Sequence, residues 1–184
     1  DPKNEEIYIL LSDAEKVQGR IDESRGISDA AKIAVESAQE ILNEGLEVIP
    51  DSPELHARIL LTEAVQEDVD REQIKKDFQE LINKFSDSAH INFVTAQYYS
   101  RYFEDFDPII ENLRQAVQKD PENADYRISL ANTLYQNYLT TGEMKYLEES
   151  IKVAKKALEL PGSQETTGPT QLASRRRRLR IYSA

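Results

Sequence analysis

A five-residue turn at residues 120–124, with the sequence Asp-Pro-Glu-Asn-Ala, constrains the fold of this chain more than any other stretch. It ends one amphipathic helical pattern and begins another. Similar turns occur upstream at residues 50–53 and 86–89, and a looser one occurs downstream at residues 161–162. Turns that return at a near-constant interval, with a helix pair between them, are typical of helical solenoids. The sequence therefore predicts an all-α fold built from stacked antiparallel helix pairs.

The second helix of each pair carries a short column of apolar or small residues, spaced by four and then three positions. The four columns are Ala38-Leu42-Gly45, Ile74-Phe78-Leu81, Ile109-Leu113-Ala116 and Ser150-Ala154-Ala157. Successive columns lie 36, 35 and 41 residues apart. Because a small side chain lets a neighbouring helix approach closely, these columns predict tight helix contacts, among them Ala116 and Ala154.

Helical spacing of apolar residues predicts eight helices ahead of a terminal one, and these eight begin near residues 4, 28, 53, 70, 88, 107, 124 and 143. The first is expected to run to about residue 21, with Ile7, Leu10, Leu11 and Ala14 on one apolar face. Hydroxyl or carboxylate side chains ahead of four of these helices are candidate N-caps. The predicted caps are Ser28, Ser52, Asp70 and Asp107. We see no strand, because apolar and polar residues nowhere alternate beside hairpin turn residues.

These residues resemble the tetratricopeptide repeat, which has a period of about 34 residues. The pairs Ala96 with Tyr99, and Ala131 with Leu134, match the family's small residue followed three positions later by a large one, and residues 120–124 resemble its inter-repeat turn. The resemblance implies a right-handed solenoid of about four repeats and a truncated fifth first helix. As one domain over residues 1–184, the repeats would span approximately 4–50, 52–86, 88–121 and 123–161, followed by a linker at 162–168 and a terminal helix at 169–184.

The sequence also departs from the family pattern. Asn92 and Arg127 stand where an aromatic residue is usual, and about seven residues are added around positions 136–142. These departures leave the superhelical geometry open rather than the fold class.

The resemblance implies a concave groove lined by the first helix of each repeat. Amides beside an arginine and aromatic rings suit an extended peptide, because amides can bond its backbone while rings cover its side chains. The candidate groove residues are Phe93, Gln97, Arg101, Ile128, Asn132, Tyr135 and Gln136. The alternative is that they are ordinary surface residues.

Some members of the family bind a chaperone's C-terminal carboxylate with lysine, asparagine and arginine side chains. The matching positions in this chain hold His90, Val94, Asp125 and Ser129. Because Asp125 would repel a carboxylate, we do not expect that activity.

Charge narrows the class of partner. The net charge is −11, and residues 170–184 contain five arginines and no acidic residue, so residues 1–169 carry a net charge of −16. An acidic body repels nucleic acids and anionic membranes and attracts basic peptides. The run Arg175–Arg178, with Arg180, could contact nucleic acid, but we favour the first helix of a cut fifth repeat, with Leu172, Leu179 and Tyr182 as its packing face.

No residue pattern indicates catalysis, a metal or a cofactor. His56 and His90 lie on different helices without a ligand partner one turn away, and the chain contains no cysteine and no glycine-rich phosphate loop. The aromatic residues Tyr98, Tyr99, Tyr102 and Phe103 could form a ligand pocket or a base-stacking platform, but packing between helices explains them better.

The sequence therefore predicts a non-enzymatic scaffold that binds a protein or peptide, favouring one with basic residues, with no nucleic acid or membrane partner. The exposed terminal repeat also allows self-association. The alternative is a regulatory or accessory repeat region of a larger enzyme or nucleic-acid-associated protein, whose active part lies outside this stretch. We expect the chain to be a segment of a longer protein, and the sequence assigns it no compartment.

Overall fold

The computed structural model describes residues 4–66 and 69–160, which form eight α-helices and no strand. This confirms the all-α fold class. The helices are α1 (Glu5–Ser24), α2 (Ala30–Val48), α3 (Pro53–Glu63), α4 (Arg71–Lys84), α5 (Ala89–Tyr102), α6 (Phe106–Lys119), α7 (Ala124–Thr141) and α8 (Met144–Leu158). The predicted linker, the terminal helix and its arginines lie outside the described residues.

The chain forms two compact units, one ending at Asn112 and the other beginning at Leu113, so the boundary falls within α6. In the first unit, α1 packs on α2, α2 on α3, and α4 on both α3 and α5. The first helices of the predicted repeats also contact one another, α1 with α3 and α3 with α5. Within this unit, helix pairs therefore follow one another as the sequence predicts.

Two of the four predicted caps, Ser52 and Asp70, are confirmed. The Ser52 hydroxyl accepts from the backbone N–H of Leu55 at 3.1 Å, just before Pro53 opens α3. The carboxylate of Asp70 accepts from the N–H groups of two residues at the start of α4. These side chains satisfy backbone donors that the first helical turn leaves without a partner.

Two predicted caps are wrong. Asp29, with a left-handed φ of 61°, precedes α2 in place of Ser28, and its side chain makes no capping hydrogen bond. For α6, the Asp105 carboxylate accepts from the N–H of Asp107 at 3.0 Å, so the helix begins two residues before the predicted proline signal. Pro108 then lies in the first turn, where its missing N–H costs nothing.

Small residues allow close helix contact in the first unit. A Cβ placed on Gly19 of α1 would lie 2.3 Å from the Cβ of Ala34 and 2.8 Å from the carbonyl oxygen of Ala30, both on α2. A Cβ on Gly45 would lie 2.9 Å from Cγ of Tyr8. Neither glycine can therefore carry a side chain without moving a neighbour.

The core of the first unit includes two clusters of buried residues. One joins α1, α2 and α3 through Ile9, Leu42 and Leu55. The other combines aliphatic, aromatic and small residues from α3, α4 and α5: Ala57, Ala64, Ile74, Phe78, Ile91, Val94 and Tyr98. All residues of the predicted columns on α2 and α6 are buried. In the column on α4, Ile74 and Phe78 are buried and Leu81 is half-buried.

The apolar face expected on α1 points away from the core. Ile7, Leu10 and Leu11 are 41 %, 66 % and 51 % exposed, whereas Ile9, Ser12 and Gly19 on the other side of the helix are buried. The close contact at Gly19 explains the difference, because α2 comes so near that position 19 has no room for a side chain.

In the second unit, α7 packs on α8. The Ser150 hydroxyl donates to the carbonyl oxygen of Ala131 at 2.8 Å, and the surrounding buried residues include Leu134 and Ala157. Ala154, expected at a tight contact, is exposed, because α8 turns Ser150 and Ala157 inward and Ala154 to one side. On α6, Ala116 is fully buried as predicted.

The buried and exposed alanines generate a matched test. Ala116→Leu should destabilise the protein by roughly 1–3 kcal/mol, because extra volume in a packed contact forces neighbouring side chains apart. Ala154→Leu, at the middle position of the column on α8, should change stability by about 0.5 kcal/mol or less, because Ala154 is exposed. Urea unfolding of both variants checks this, and equal losses would contradict the assignment of the two columns.

Candidate functional site

A network of charged and polar side chains joins α1, α3 and α5 in the first unit. The carboxylate of Asp13 on α1 lies 3.6 Å from the guanidinium of Arg58 on α3. Arg58 also contacts Glu54 at 3.2 Å, one turn earlier on the same helix, and Glu54 pairs with Nε2 of His90 on α5. Partly buried polar contacts therefore join α1, α3 and α5, which are the first helices of three successive predicted repeats.

Glu54 is the electrostatic centre of this network. Burial by itself would raise the pKa of its carboxyl, but the hydrogen bond and charge of His90, together with Arg58, outweigh that effect and lower the pKa below 4.5. The ionised form is thus favoured in the folded protein. Because His90 is engaged with a carboxylate, it is not placed to bind the carboxylate of a ligand.

The candidate residues on α5 share a face with His90, since they follow it at helical spacing. Phe93 and Gln97 are half-buried and Arg101 is exposed. The Phe93 ring lies 6.4 Å from that of His90, and the Arg101 guanidinium lies 5.6 Å from the ring of Tyr102. The structure thus brings these three candidates together on one side of α5, next to the charged network.

The candidates on α7 lie on the side of that helix opposite its buried residues. Ile128 is half-buried, while Asn132, Tyr135 and Gln136 are exposed. Leu139, 56 % exposed, continues the same row. The sequence prediction did not include it, although its spacing of seven and four residues from Asn132 and Tyr135 is the signal that places it on this face.

The aromatic residues at the C-terminal half of α5 and just beyond it are packing residues. Tyr98 is fully buried, its ring lies 5.1 Å from that of Phe78, and its hydroxyl donates to the carbonyl oxygen of Arg71 at 2.7 Å. Burial raises the pKa of Tyr98 to about 12. Tyr102 and Phe103 are half-buried against the same ring, so these residues leave no open pocket for a base.

The two histidines lie in separate environments. Nε2 of His56 is 3.0 Å from the carbonyl oxygen of Pro50 and 3.1 Å from Nζ of Lys84. Within residues 4–66 and 69–160, no three histidine or carboxylate side chains are grouped as metal ligands. No helix in that part of the chain combines the length and the apolar character that crossing a membrane requires.

Comparison with known proteins gives similarity at the level of solved structures. No family model and no curated protein matches the chain. A crystal structure of MamA protein has 16 % identity and a TM-score of 0.49, covering 84 % of this chain and 90 % of that one. The structure described as MamA MSR-1 C2 has 18 % identity and a TM-score of 0.47, covering 84 % and 95 %. The function must therefore be inferred from the residues of this chain.

The lowered pKa of Glu54 makes a prediction about acid stability. Because that carboxyl is ionised more readily in the folded protein, its stabilising effect is complete above pH 4.5 and is lost as the pH falls through the lower folded-state pKa. Glu54→Gln should therefore be less stable than the parent protein near neutral pH, and the difference should shrink as the pH falls below that range.

Urea midpoints measured from neutral to acidic pH check this prediction. Glu72→Gln is the matched control, since Glu72 is 65 % exposed and its contact with Lys75 lies on the surface. A Glu54→Gln deficit that stayed constant at all pH values would contradict the role given to its charge.

Proposed function

We propose that this chain is a non-enzymatic interaction module that binds a peptide or protein segment along the exposed face of α7. The observation that carries the proposal is the composition of that face. Apolar side chains of Ile128, Tyr135 and Leu139 lie beside the amides of Asn132 and Gln136, while the opposite side of α7 is buried. Amides can bond a ligand's backbone, and the apolar side chains can cover its side chains.

We infer a second contact surface on α5, formed by Phe93, Gln97 and Arg101. Its support is the adjacent network of Asp13, Arg58, Glu54 and His90, which fixes the neighbouring helices through polar contacts instead of leaving that surface mobile. A rigid surface loses less conformational entropy when a ligand binds. Each surface belongs to its own unit and is tested by its own variants.

The preferred partner carries basic residues. The chain has 34 acidic against 23 basic residues, and its sequence pI is about 4.8. Such a charge raises the association rate of a cationic ligand and makes that rate fall with added salt. The same charge opposes binding to the phosphates of nucleic acids and to anionic lipids.

Peptide selection tests the proposal without a known partner. A random peptide library displayed on phage is panned against the full chain, and the selected peptides are synthesised and titrated. We expect basic residues to be enriched and the association rate to fall as salt is raised. Selection of neutral or acidic peptides that bind independently of salt would contradict the inferred partner chemistry.

Variants then locate the site. Asn132→Ala removes a hydrogen bond to a neutral group, which costs about 0.5–1.5 kcal/mol, or roughly two- to tenfold in affinity. Gln97→Ala tests α5 in the same way, and Gln118→Ala, an exposed amide on α6, is the control for both. Unfolding midpoints should not move. Full affinity in both test variants would place the site elsewhere.

A further inference from the structure

The outward face of α1 is a continuous apolar stripe. Its members recur at helical spacing and are 39 % to 66 % exposed: Ile7, Leu10, Leu11, Val17 and Ile21. The stripe lies opposite the buried Ile9, Ser12 and Gly19, so these five large apolar side chains stay exposed on the part of the chain that the structure describes. Single exposed apolar residues are ordinary, but a contiguous row of them marks an interaction surface.

The apolar residues of the stripe have the spacing at which one helix packs along another, and we call this row of positions the seam. Ile7, Ala14 and Ile21 are seven residues apart, and Leu10 and Val17 follow the first two by three residues. This is the alternation of a and d positions at which one helix packs against another. A helix that lies on a membrane surface has a wider apolar face bordered by lysine and arginine. The positions flanking this stripe instead carry charges of both signs, with Glu6 and Asp13 as well as Arg20 and Arg25.

We propose that the occupant of this seam is α1 of a second copy of the chain, in antiparallel orientation. The argument is the order of charges at the positions flanking the seam, where Glu6 and Asp13 lie in the first half of α1 and Arg20 lies in the second. An antiparallel pair that matches a positions with d positions places Leu10 against Ile21 of the other copy. It also brings Asp13 beside Arg20 of the other copy, twice by symmetry.

The parallel alternative is disfavoured by the same charges. In a parallel pair, the flanking Arg20 would lie beside Arg25 of the other copy, and the like charges would repel. In the antiparallel pair, Ala14 lies against Val17 at the centre, where its small side chain allows close approach. Asp13 keeps a side chain 42 % exposed beside its contacts with Lys16 and Arg58, so it remains accessible to an arginine of the other copy.

Sedimentation equilibrium of the full chain over a range of concentrations tests the proposal. We expect a monomer–dimer equilibrium whose dissociation constant rises roughly tenfold or more in Leu10→Glu, because the variant buries unpaired charges in the seam. Ile151→Glu, at an exposed apolar position on α8, is the matched control and should leave the constant unchanged. Leu10 is exposed in the single chain, so the circular dichroism and urea midpoint of dilute Leu10→Glu should match those of the parent.

Several results would overturn the proposal. These are a parent chain that stays monomeric at every concentration, a dimer that tolerates Leu10→Glu, and a dimer that only Ile151→Glu dissociates. Vesicles of phosphatidylserine test the membrane as occupant. Binding of the monomeric chain to them, lost in Leu10→Glu, would also overturn it.

Disulfide trapping determines the orientation, since the natural chain contains no cysteine. Leu10→Cys and Ile21→Cys proteins are mixed and oxidised with glutathione disulfide. The antiparallel pair predicts the mixed product, because residues 10 and 21 of the two copies adjoin while two copies of residue 10 lie about 16 Å apart along the axis. Preferential coupling of Leu10→Cys to itself would show a parallel pair and overturn the proposed orientation.

Discussion

The close approach of α1 to α2 is the constraint on which the structure of the first unit depends. Gly19 lies so near Ala34 and the carbonyl of Ala30 that a single added carbon would collide with both. Such an approach is possible only if α1 turns its small residues inward. Ile9 shares the inward side with Ser12 and Gly19, and the apolar residues on the opposite side of α1, among them Leu10 and Val17, face outward and form the exposed stripe.

The sequence predicts the fold best where one physical signal acts alone. The columns through Leu42, Phe78 and Leu113 combine apolar character with helical spacing, and these residues are buried as expected. The capping side chains of Ser52 and Asp70 act within one turn, so they can be recognised from adjacent residues. Such local signals need no knowledge of which helix lies opposite.

Prediction fails where two signals compete. On α1 the apolar pattern and the small-residue pattern indicate opposite faces, and only the distance to α2 decides between them. Ala154 and Ala116 are both small members of their columns, yet α8 meets α7 through Ser150, which donates to the carbonyl oxygen of Ala131, and through the buried Ala157. At α6 the proline signal is real but lies within the first turn, because the carboxylate of Asp105 caps the helix earlier.

The candidate surfaces also divide into features that local spacing predicts and features that depend on how the helices pack. Helical spacing was sufficient to place Asn132 and Tyr135 on one face of α7 and Gln97 with Arg101 on one face of α5. The network of Asp13, Arg58, Glu54 and His90 could not be predicted, because its members come from three helices and their contacts depend on how those helices pack.

Small residues and charges therefore have different roles in the first unit. Glycine and alanine set how closely α1 and α2 pack, which fixes the orientation of α1 about its own axis. The contact between Asp13 and Arg58 then holds α1 to α3 at the edge of the same face. Neither constraint involves Leu10 or Val17. Exposing such residues costs about 25 cal/mol for each Å² left in water, a cost that an apolar partner surface would remove.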